Sequence, residues 1–191
     1  SNVGELDGST NAGGYDILIV KYDTKWGIPL WTRQLGTTSS DIGKGIVNDY
    51  QGNILVTGYT GGSLDNSTHA GGDDLFIAKY DSNGTKLWVQ QLGSAGEDRG
   101  QGVATDNSAN IYVAGHTSGA FDENTNSGGK DILLLKYSGS GTKLWARQLG
   151  SASDDNGQGV ATDSKADVYL TGWTNGSLGE NISAGSRDLF L

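Results

Sequence analysis

The side chains best suited to chemistry in this sequence are carboxylates that recur at a fixed spacing. Asp41, Asp98 and Asp155 lie 57 residues apart, and Asp65 and Asp122 form a second set with the same spacing. Ca²⁺ takes about six to eight oxygen ligands, which carboxylates and the backbone carbonyls of glycine-rich loops can supply. These five residues are therefore candidate calcium ligands.

An aspartate at the end of a loop also has a structural use, because its carboxylate accepts hydrogen bonds from nearby backbone N–H groups. The sequence contains neither the EF-hand spacing nor the nonapeptide repeat that would single out a calcium loop. We therefore expect these carboxylates to cap loops, with calcium binding as the alternative.

Aromatic side chains mark a third recurrent position, which holds Tyr59, His116 and Trp173. Rings beside Asp and Asn side chains can stack on a sugar and form hydrogen bonds with it. A glycan is therefore a second candidate ligand. The simpler expectation is that the three rings cover the outer part of the fold.

Catalytic residues are not indicated. The two histidines, His69 and His116, fall at different places in the repeat, and no Ser or Cys nucleophile motif accompanies them. Adjacent acidic residues such as Asp154 and Asp155 recur from repeat to repeat, whereas active sites are usually asymmetric. The sequence therefore predicts a protein that is not an enzyme and has no cofactor apart from the calcium considered above.

Composition and charge narrow the partners further. Thirty-two glycines, one proline and many Ser, Thr, Asn and Asp residues indicate short strands joined by tight turns. The net charge of −9 repels phosphate backbones, so we expect no nucleic acid partner. No apolar run approaches the roughly 20 residues that span a bilayer. The absence of cysteine excludes disulfides and thiolate sites and, with the Thr/Asn/Gly-rich repeats, indicates an exported bacterial protein.

The elements that must position these residues follow a clear internal repeat. Equivalent segments begin at Asp16, Asp74, Asp131 and Asp188, spaced 58, 57 and 57 residues apart. Each of the first three segments contains, in order, a Lys-Tyr pair, a Leu-Trp pair and a Gln-Leu-Gly triplet, and a Gly-x-Gly motif follows the triplet. The triplets are Gln34–Gly36, Gln91–Gly93 and Gln148–Gly150, and the Gly-x-Gly motifs are Gly43–Gly45, Gly100–Gly102 and Gly157–Gly159. A fixed period of this length is the signature of a repeat architecture.

Each period contains four strand-like runs separated by turns rich in Gly, Asn and Asp. In the second repeat these runs are Leu75–Tyr80, Lys86–Leu92, Gly102–Asp106 and Asn110–Thr117. Four antiparallel strands at a period near 50 residues predict an all-β fold of β-propeller blades, about three to a chain. A β-solenoid is the competing architecture, but its rungs are usually shorter.

Several motifs resemble those of known propeller families. Gly102–Asp106 with Asn110–Val113 looks like the first two strands of an NHL-type blade, and Asp23–Trp31 resembles the tryptophan-docking motif of quinoprotein propellers. The two later repeats shorten that motif by one residue. Together with the Lys-Tyr-Asp and Gln-Leu-Gly motifs, the whole pattern most closely resembles the bacterial SBBP (beta-propeller) repeat family. The resemblance implies the fold and implies little about activity, because the tryptophan motif of the quinoproteins docks blades and does not bind their cofactor.

The NHL-like comparison also implies the phase of the blades. Gly102–Asp106 becomes the innermost strand, and Trp88 and Trp145 then pack between adjacent blades. A single repeat domain, 1–191, is thereby divided into a partial blade 1–36, blades 43–92 and 100–149, and a partial blade 157–191.

The predicted blades do not add up to a closed ring. A propeller usually has about four to eight blades, and incomplete blades leave unpaired strand edges, which soluble proteins avoid. We therefore expect either self-association, as a head-to-tail homo-oligomer or a fibre, or completion by neighbouring blades of a longer chain.

These observations predict a noncatalytic propeller module, extracellular or at the cell surface, that acts in structural assembly or adhesion. The alternative function is a module that binds Ca²⁺ or carbohydrate on its acidic, long-loop face. A third hypothesis makes the chain part of a larger propeller enzyme whose catalytic residues lie elsewhere.

Overall fold

Residues 11–191 are described by a computed structural model of the chain, and nearly all of their regular structure is β-strand. The strands are β1 (Ile17–Tyr22), β2 (Pro29–Leu35), β3 (Asp41–Asn48), β4 (Ile54–Thr60), β5 (Asp74–Tyr80), β6 (Lys86–Leu92), β7 (Asp98–Thr105), β8 (Ile111–Thr117), β9 (Asp131–Tyr137), β10 (Lys143–Leu149), β11 (Asp155–Thr162), β12 (Val168–Thr174) and β13 (Asp188–Phe190). A single 3₁₀ turn, Leu64–Asn66, interrupts them in this part of the chain. None of its helical structure is long and apolar enough to cross a membrane.

The strands form four separate antiparallel sheets. Two of the sheets have four strands each, in the orders β3-β4-β5-β6 and β7-β8-β9-β10. Strands β1 and β2 form a two-stranded sheet, and β11, β12 and β13 form a three-stranded one. Within each sheet, strands that are consecutive in sequence pair with each other, as in the up-and-down blade of a propeller. The prediction of four-stranded blades in an incomplete ring is confirmed.

The innermost strands begin earlier than the sequence pattern indicates. The glycine-rich run predicts a strand that starts at Gly102, whereas β7 already starts at Asp98 and pairs that residue with Thr117 of β8. The pairing register shifts between Gly100 and Gly102, so one extra residue is accommodated as a bulge. The bulge interrupts the alternation that sequence reasoning uses to find a strand.

Adjacent blades approach most closely at their first strands. A methyl group on Gly45 of β3 would lie 3.2 Å from the Cα of Gly102 in β7, and one on Gly102 would lie 3.2 Å from the Cα of Gly159 in β11. The second glycine of each Gly-x-Gly motif therefore permits the inner strands to pack backbone against backbone. The Thr162 hydroxyl donates to the Thr105 carbonyl at 2.9 Å and links the same strands near their ends.

The hydrophobic core lies between blades. Leu55 and Ile77 of one sheet pack in one cluster with Val113, Leu133 and Leu135 of the next. Each such side chain contributes about 1.5–3 kcal/mol when buried. The middle strands β5, β8 and β9 carry most of this core, while β6 and β10 are only partly covered.

Tryptophans of the outermost strands lie against the following blade. A methyl group on Gly84 would lie 3.0 Å from the Trp31 indole, and one on Gly141 would lie 3.1 Å from the Trp88 indole. Both glycines belong to the turn between the third and fourth strands of the next blade. Trp145 lies near Tyr112 of its own blade, with ring centroids 6.3 Å apart.

Candidate functional site

The recurrent aspartates form a row across the long-loop end of each blade. The first residue of the first strand, the last residue of the second strand and the first residue of the third strand are direct partners in the sheet. The three rows are Asp41–Thr60–Asp74, Asp98–Thr117–Asp131 and Asp155–Thr174–Asp188. Because each row is positioned by strand pairing, it occupies the same place in its sheet.

Asp41, Asp98 and Asp155 cap the loop that precedes their own strand. All three are fully buried. The Asp98 carboxylate accepts the Ser94 backbone N–H at 2.6 Å and the Ser94 hydroxyl at 2.9 Å. Asp41 accepts the Thr37 N–H at 2.6 Å in the same manner. These carboxylates therefore fix the connection between successive blades.

A glutamine joins the long loop within each blade to the third strand. The Gln91 amide donates to the Asp74 carboxylate at 2.8 Å and to the Gly62 carbonyl at 2.8 Å, and its oxygen accepts the Leu64 N–H at 2.9 Å. Gln148 repeats this arrangement in the next blade. The glutamine of the Gln-Leu-Gly triplet thus binds backbone groups of the long loop.

Two buried carboxylates, Asp74 and Asp98, lie near each other at the junction between the two complete blades. The Asp98 backbone N–H donates to the carbonyl of Asp73 at 2.6 Å, which brings Asp98 close to Asp74. Burial raises the pKa of the Asp98 carboxyl, and the negative charge of Asp74 adds to the increase. One oxygen of each of these two carboxylates is buried without a hydrogen-bond partner. A proton or a cation that neutralised one of these two carboxylates would therefore stabilise the junction.

The second candidate set lies apart from these buried carboxylates. Asp65 and Asp122 are exposed, and their backbone φ values of 46° and 59° place them in the left-handed region that Asp tolerates in turns. Asp65 pairs with Lys86 at 2.6 Å, and Asp122 pairs with Lys143 at 2.7 Å. Within residues 11–191, no group of three or more His, Asp or Glu side chains is arranged to hold a metal ion.

The recurrent aromatic position has a different environment in each blade. The Arg99 guanidinium lies 4.5 Å from the ring centre of Tyr59, and that of Arg187 lies 4.2 Å from the ring of Trp173. His116 is only 3% exposed, so neither face of its ring is open to a ligand. A sugar would therefore have only Tyr59 and Trp173 to stack on, beside the arginines that already cover them.

His116 is held in its neutral form. Burial lowers its pKa to about 4, and the positive charges of Lys130 and Arg99 act in the same direction. Its Nδ1 atom lies 2.8 Å from the side-chain amide of Asn156 in the next blade. The histidine joins two blades, a role that its position in the sequence does not reveal.

An ion network that sequence reasoning missed surrounds the first complete junction. Arg99 donates to Asp73 at 2.7 Å, and Lys130 pairs with Glu97 at 3.0 Å. Asp73 and Lys130 precede the recurrent aspartates of the third strands, where the residue type changes from repeat to repeat. A position that varies between repeats while its neighbours recur is the sequence feature that could have identified the network.

The terminal sheets present incomplete edges. Strand β12 pairs with β13 at three positions, whereas β8 pairs with β9 at seven. Leu189 of β13 is 87% exposed. At the other end, β1 pairs with β2 along one side only among the described residues. The two terminal sheets therefore contain fewer strands than the two complete blades.

Comparison with known proteins supports the repeat assignment. The model of the beta-propeller repeat family, SBBP, matches residues 30–65, 87–122 and 144–180, which is more than half of the chain. Similar curated proteins include an uncharacterized WD repeat-containing protein of Acanthamoeba polyphaga mimivirus, 25% identical over 186 residues and 77% of this chain. The regulatory protein FlaEY of Caulobacter vibrioides is 26% identical over 127 residues and 60% of this chain. The chain spans 13% of the length of each of these relatives.

Proposed function

Because the chain belongs to the SBBP beta-propeller repeat family, we propose that it is a noncatalytic module for structural assembly or adhesion. Its incomplete blades would be completed head to tail by other copies, or by neighbouring blades of a longer chain. The observation that carries this proposal is the pair of unfinished sheets, β1-β2 at one end and β11-β12-β13 at the other.

The two unfinished sheets complement each other in strand identity. By their place in the repeat, β11 and β12 are the first two strands of a blade, and β1 and β2 are the third and fourth. Ile17 and Ile19 of β1 are buried against the next sheet, as third-strand residues are in the complete blades. Joining the two ends would therefore pair strand edges that would favour aggregation if they stayed exposed.

The assembly proposal is tested by the mass of the 191-residue protein in solution. Sedimentation equilibrium or light scattering over a range of concentrations should show a dimer or larger head-to-tail species. A monodisperse monomer at every concentration would contradict completion between chains and leave only completion within a longer chain.

The proposed location, outside the cell or on its surface, rests on composition. The chain is acidic, contains no cysteine and is rich in Gly, Thr and Asn. Antibodies against the module should label intact cells of the source organism without permeabilisation. Labelling that requires permeabilised cells would contradict this location.

A calcium-binding function is the second candidate, and one observation favours it. The buried carboxylates at the blade junctions include oxygens without hydrogen-bond partners, on Asp74, Asp98, Asp131 and Asp155 among others. A bound cation would neutralise them. Thermal unfolding should then occur at a higher midpoint in Ca²⁺ than in EDTA, and an unchanged midpoint removes calcium from consideration.

Glycan-array binding tests the alternative that the module binds carbohydrate. Trp173→Ala is the variant expected to lose the binding signal.

A further inference from the structure

We infer that side chains which differ between the repeats match each blade to its own neighbour and so keep the blades in order. Two junctions carry this inference. The first junction joins the sheet β3-β4-β5-β6 to the sheet β7-β8-β9-β10, and the second junction joins the latter to the sheet β11-β12-β13. Both lie inside the described part of the chain, so the inference stands independently of the proposed assembly.

The two junctions share one backbone frame. The Asp98 N–H donates to the Asp73 carbonyl at 2.6 Å, and the Asp155 N–H donates to the Lys130 carbonyl at the same distance. The bulged Gly-x-Gly motifs of the inner strands recur as well. Because this frame is the same at both junctions, it cannot distinguish one blade from another. Only side chains that vary between the repeats can do so.

Three variable side chains meet at the first junction. Arg99 of β7 donates through Nε to the Asp73 carboxylate at 2.7 Å, and its guanidinium lies 4.5 Å from the ring centre of Tyr59. Tyr59 and Asp73 belong to the preceding blade, so one cation binds a carboxylate and an aromatic ring across the junction. Both members of the ion pair are mostly buried, which strengthens their attraction relative to a pair in open water.

Different side chains occupy the same positions at the second junction. His116, Lys130 and Asn156 take the places of the tyrosine, the aspartate and the arginine. His116 Nδ1 lies 2.8 Å from the side-chain amide of Asn156, and both side chains are buried. The Lys130 ammonium pairs with Glu97 of its own blade at 3.0 Å. A small, uncharged contact therefore replaces the large ion pair and ring of the first junction.

The first set of side chains does not fit the second junction. An aspartate in place of Lys130 would face Asp154, because the Asp154 carboxylate accepts the Lys130 backbone N–H at 3.0 Å. Two carboxylates that close to each other repel. Asn156 carries no charge, so the aspartate would also lack the cation that Arg99 supplies at the first junction.

The second set does not fit the first junction either. A histidine and a lysine in place of Tyr59 and Asp73 would bring a second cation to the Arg99 guanidinium. Glu97 lies 3.3 Å from that guanidinium but already pairs with Lys130. Arg99 would thus lose both the carboxylate and the ring that it binds across the junction. A mismatched junction loses attraction and gains repulsion, which is how a wrong partner is rejected.

Such matching has a use in this fold, because wrong pairing between similar units is a characteristic failure of repeat proteins. The partner selected is a blade of complementary charge and size: an arginine for the tyrosine and aspartate, an asparagine for the histidine and lysine. Arg99 precedes His116 and Lys130 in the blade that they share. Exchange of whole periods within the inner strands therefore keeps every matched set together.

The matching is tested by moving the side chains of the second junction into the first. One variant of the 191-residue protein carries Tyr59→His and Asp73→Lys, a second carries Arg99→Asn, and a third carries all three changes. Glu97 stays, because its equivalent Asp154 is acidic too. Urea unfolding gives the folding equilibrium constant of each protein. The first two variants should each lose about tenfold, and the triple variant should lie within about threefold of the natural chain.

The outcomes decide the inference in both directions. A triple variant closer to the product of the two separate losses than to the natural chain would overturn it, because the residues would then act singly. Unchanged stability in the first two variants would overturn it as well. If either of those variants is unfolded in water, near-UV circular dichroism decides: a folded triple variant supports the matching, and an unfolded one contradicts it.

Lys86→Asn is the matched control for the loss of the arginine. It also removes one positive charge, from an exposed pair with Asp65, and lies at the opposite end of the same sheet from Asp73. Combined with Tyr59→His and Asp73→Lys, it should give no recovery, so the two losses should multiply. Equal recovery in this combination would attribute the effect to net charge and contradict the matching.

Discussion

At Gly93 a single carboxylate oxygen decides which residue can follow the Gln-Leu pair. A methyl group there would overlap Asp74 Oδ1, and the same overlap would occur at Gly150 with Asp131. The triplet therefore ends in glycine because the buried aspartate of the third strand occupies the space that a side chain would need.

Replacing Gly93 by alanine should accordingly destabilise the protein by about 1–3 kcal/mol, since the Asp74 carboxylate cannot move without losing its bonds to Gln91 and Ala70. Urea unfolding of Gly93→Ala measures the effect. Gly185→Ala is the control, because a methyl at Gly185 meets no atom within 4 Å, and its free energy of unfolding should change by less than about 0.5 kcal/mol. Equal effects for the two variants would contradict the steric explanation.

His116 makes the stability of the fold depend on pH. Its pKa in the folded chain is about 4, below its ordinary value of 6.5, so the folded state favours the neutral ring. The unfolded chain therefore binds a proton first as pH falls. The stability that His116 contributes is complete above about pH 6.5 and is lost progressively down to about pH 4.

The variant His116→Gln should lose less free energy of unfolding than the natural chain between pH 7 and about pH 4.5, by up to about 3 kcal/mol. Urea titrations at the two pH values give the comparison. His69→Gln is the control, because it replaces the other histidine of the chain at a position that is only partly buried. A profile that is the same in all three proteins would exclude His116 as the titrating group.

At the scale of strands and turns, Lys79 fixes the third strand of its blade to the turn after the first. Burial opposes ionisation of Asp49, but hydrogen bonds from Asn53 and Lys79 outweigh it and hold the pKa of that carboxyl below its usual value. Lys79 also donates to the Gly139 carbonyl of the next blade at 3.1 Å. One ammonium group thus joins three elements.

Lys79→Met should destabilise the protein by about 3–5 kcal/mol, because it leaves the Asp49 carboxylate buried without its cation. Chemical denaturation provides the measurement. Lys143→Met removes the exposed pair with Asp122 and should change the free energy of unfolding by less than about 1 kcal/mol. Comparable losses in the two variants would show that burial does not set the strength of these pairs.

The strands were predictable from the sequence, but their inner ends and their side-chain partners were not. Recurrent Lys-Tyr and Leu-Trp pairs identify the outer strands, because each pair lies beside a short run of apolar residues that is bounded by turn residues. The start of β7 at Asp98 was hidden by the glycine-rich bulge at Gly100–Gly102. Contacts such as His116 with Asn156 join residues 40 positions apart, and no local pattern encodes such a distance.

At the scale of the whole molecule, stability depends on contacts between neighbouring blades. The core cluster that contains Leu55 and Leu133 spans two sheets, and Trp88 packs on its edge. A blade by itself would expose one apolar face. The chain therefore gains stability with each blade added, as expected for a repeat protein.

Trp88→Ala should remove about 3 kcal/mol from the free energy of unfolding, because it leaves a cavity between the two complete blades above Gly141. Calorimetry should also show a broader transition, since the blades lose part of their coupling. Trp26→Ala is the control, because Trp26 is 70% exposed and its loss should cost less than about 0.5 kcal/mol. A sharp, unshifted transition in Trp88→Ala would contradict coupling through the indole.

Asp41, Asp98 and Asp155 each attach their blade to the one before it by the same backbone bond, and that sameness bears on how such genes change over generations. Unequal recombination that adds or deletes one whole period leaves every remaining junction with its proper partner. The number of blades can then change one at a time, and no new kind of contact between blades is required.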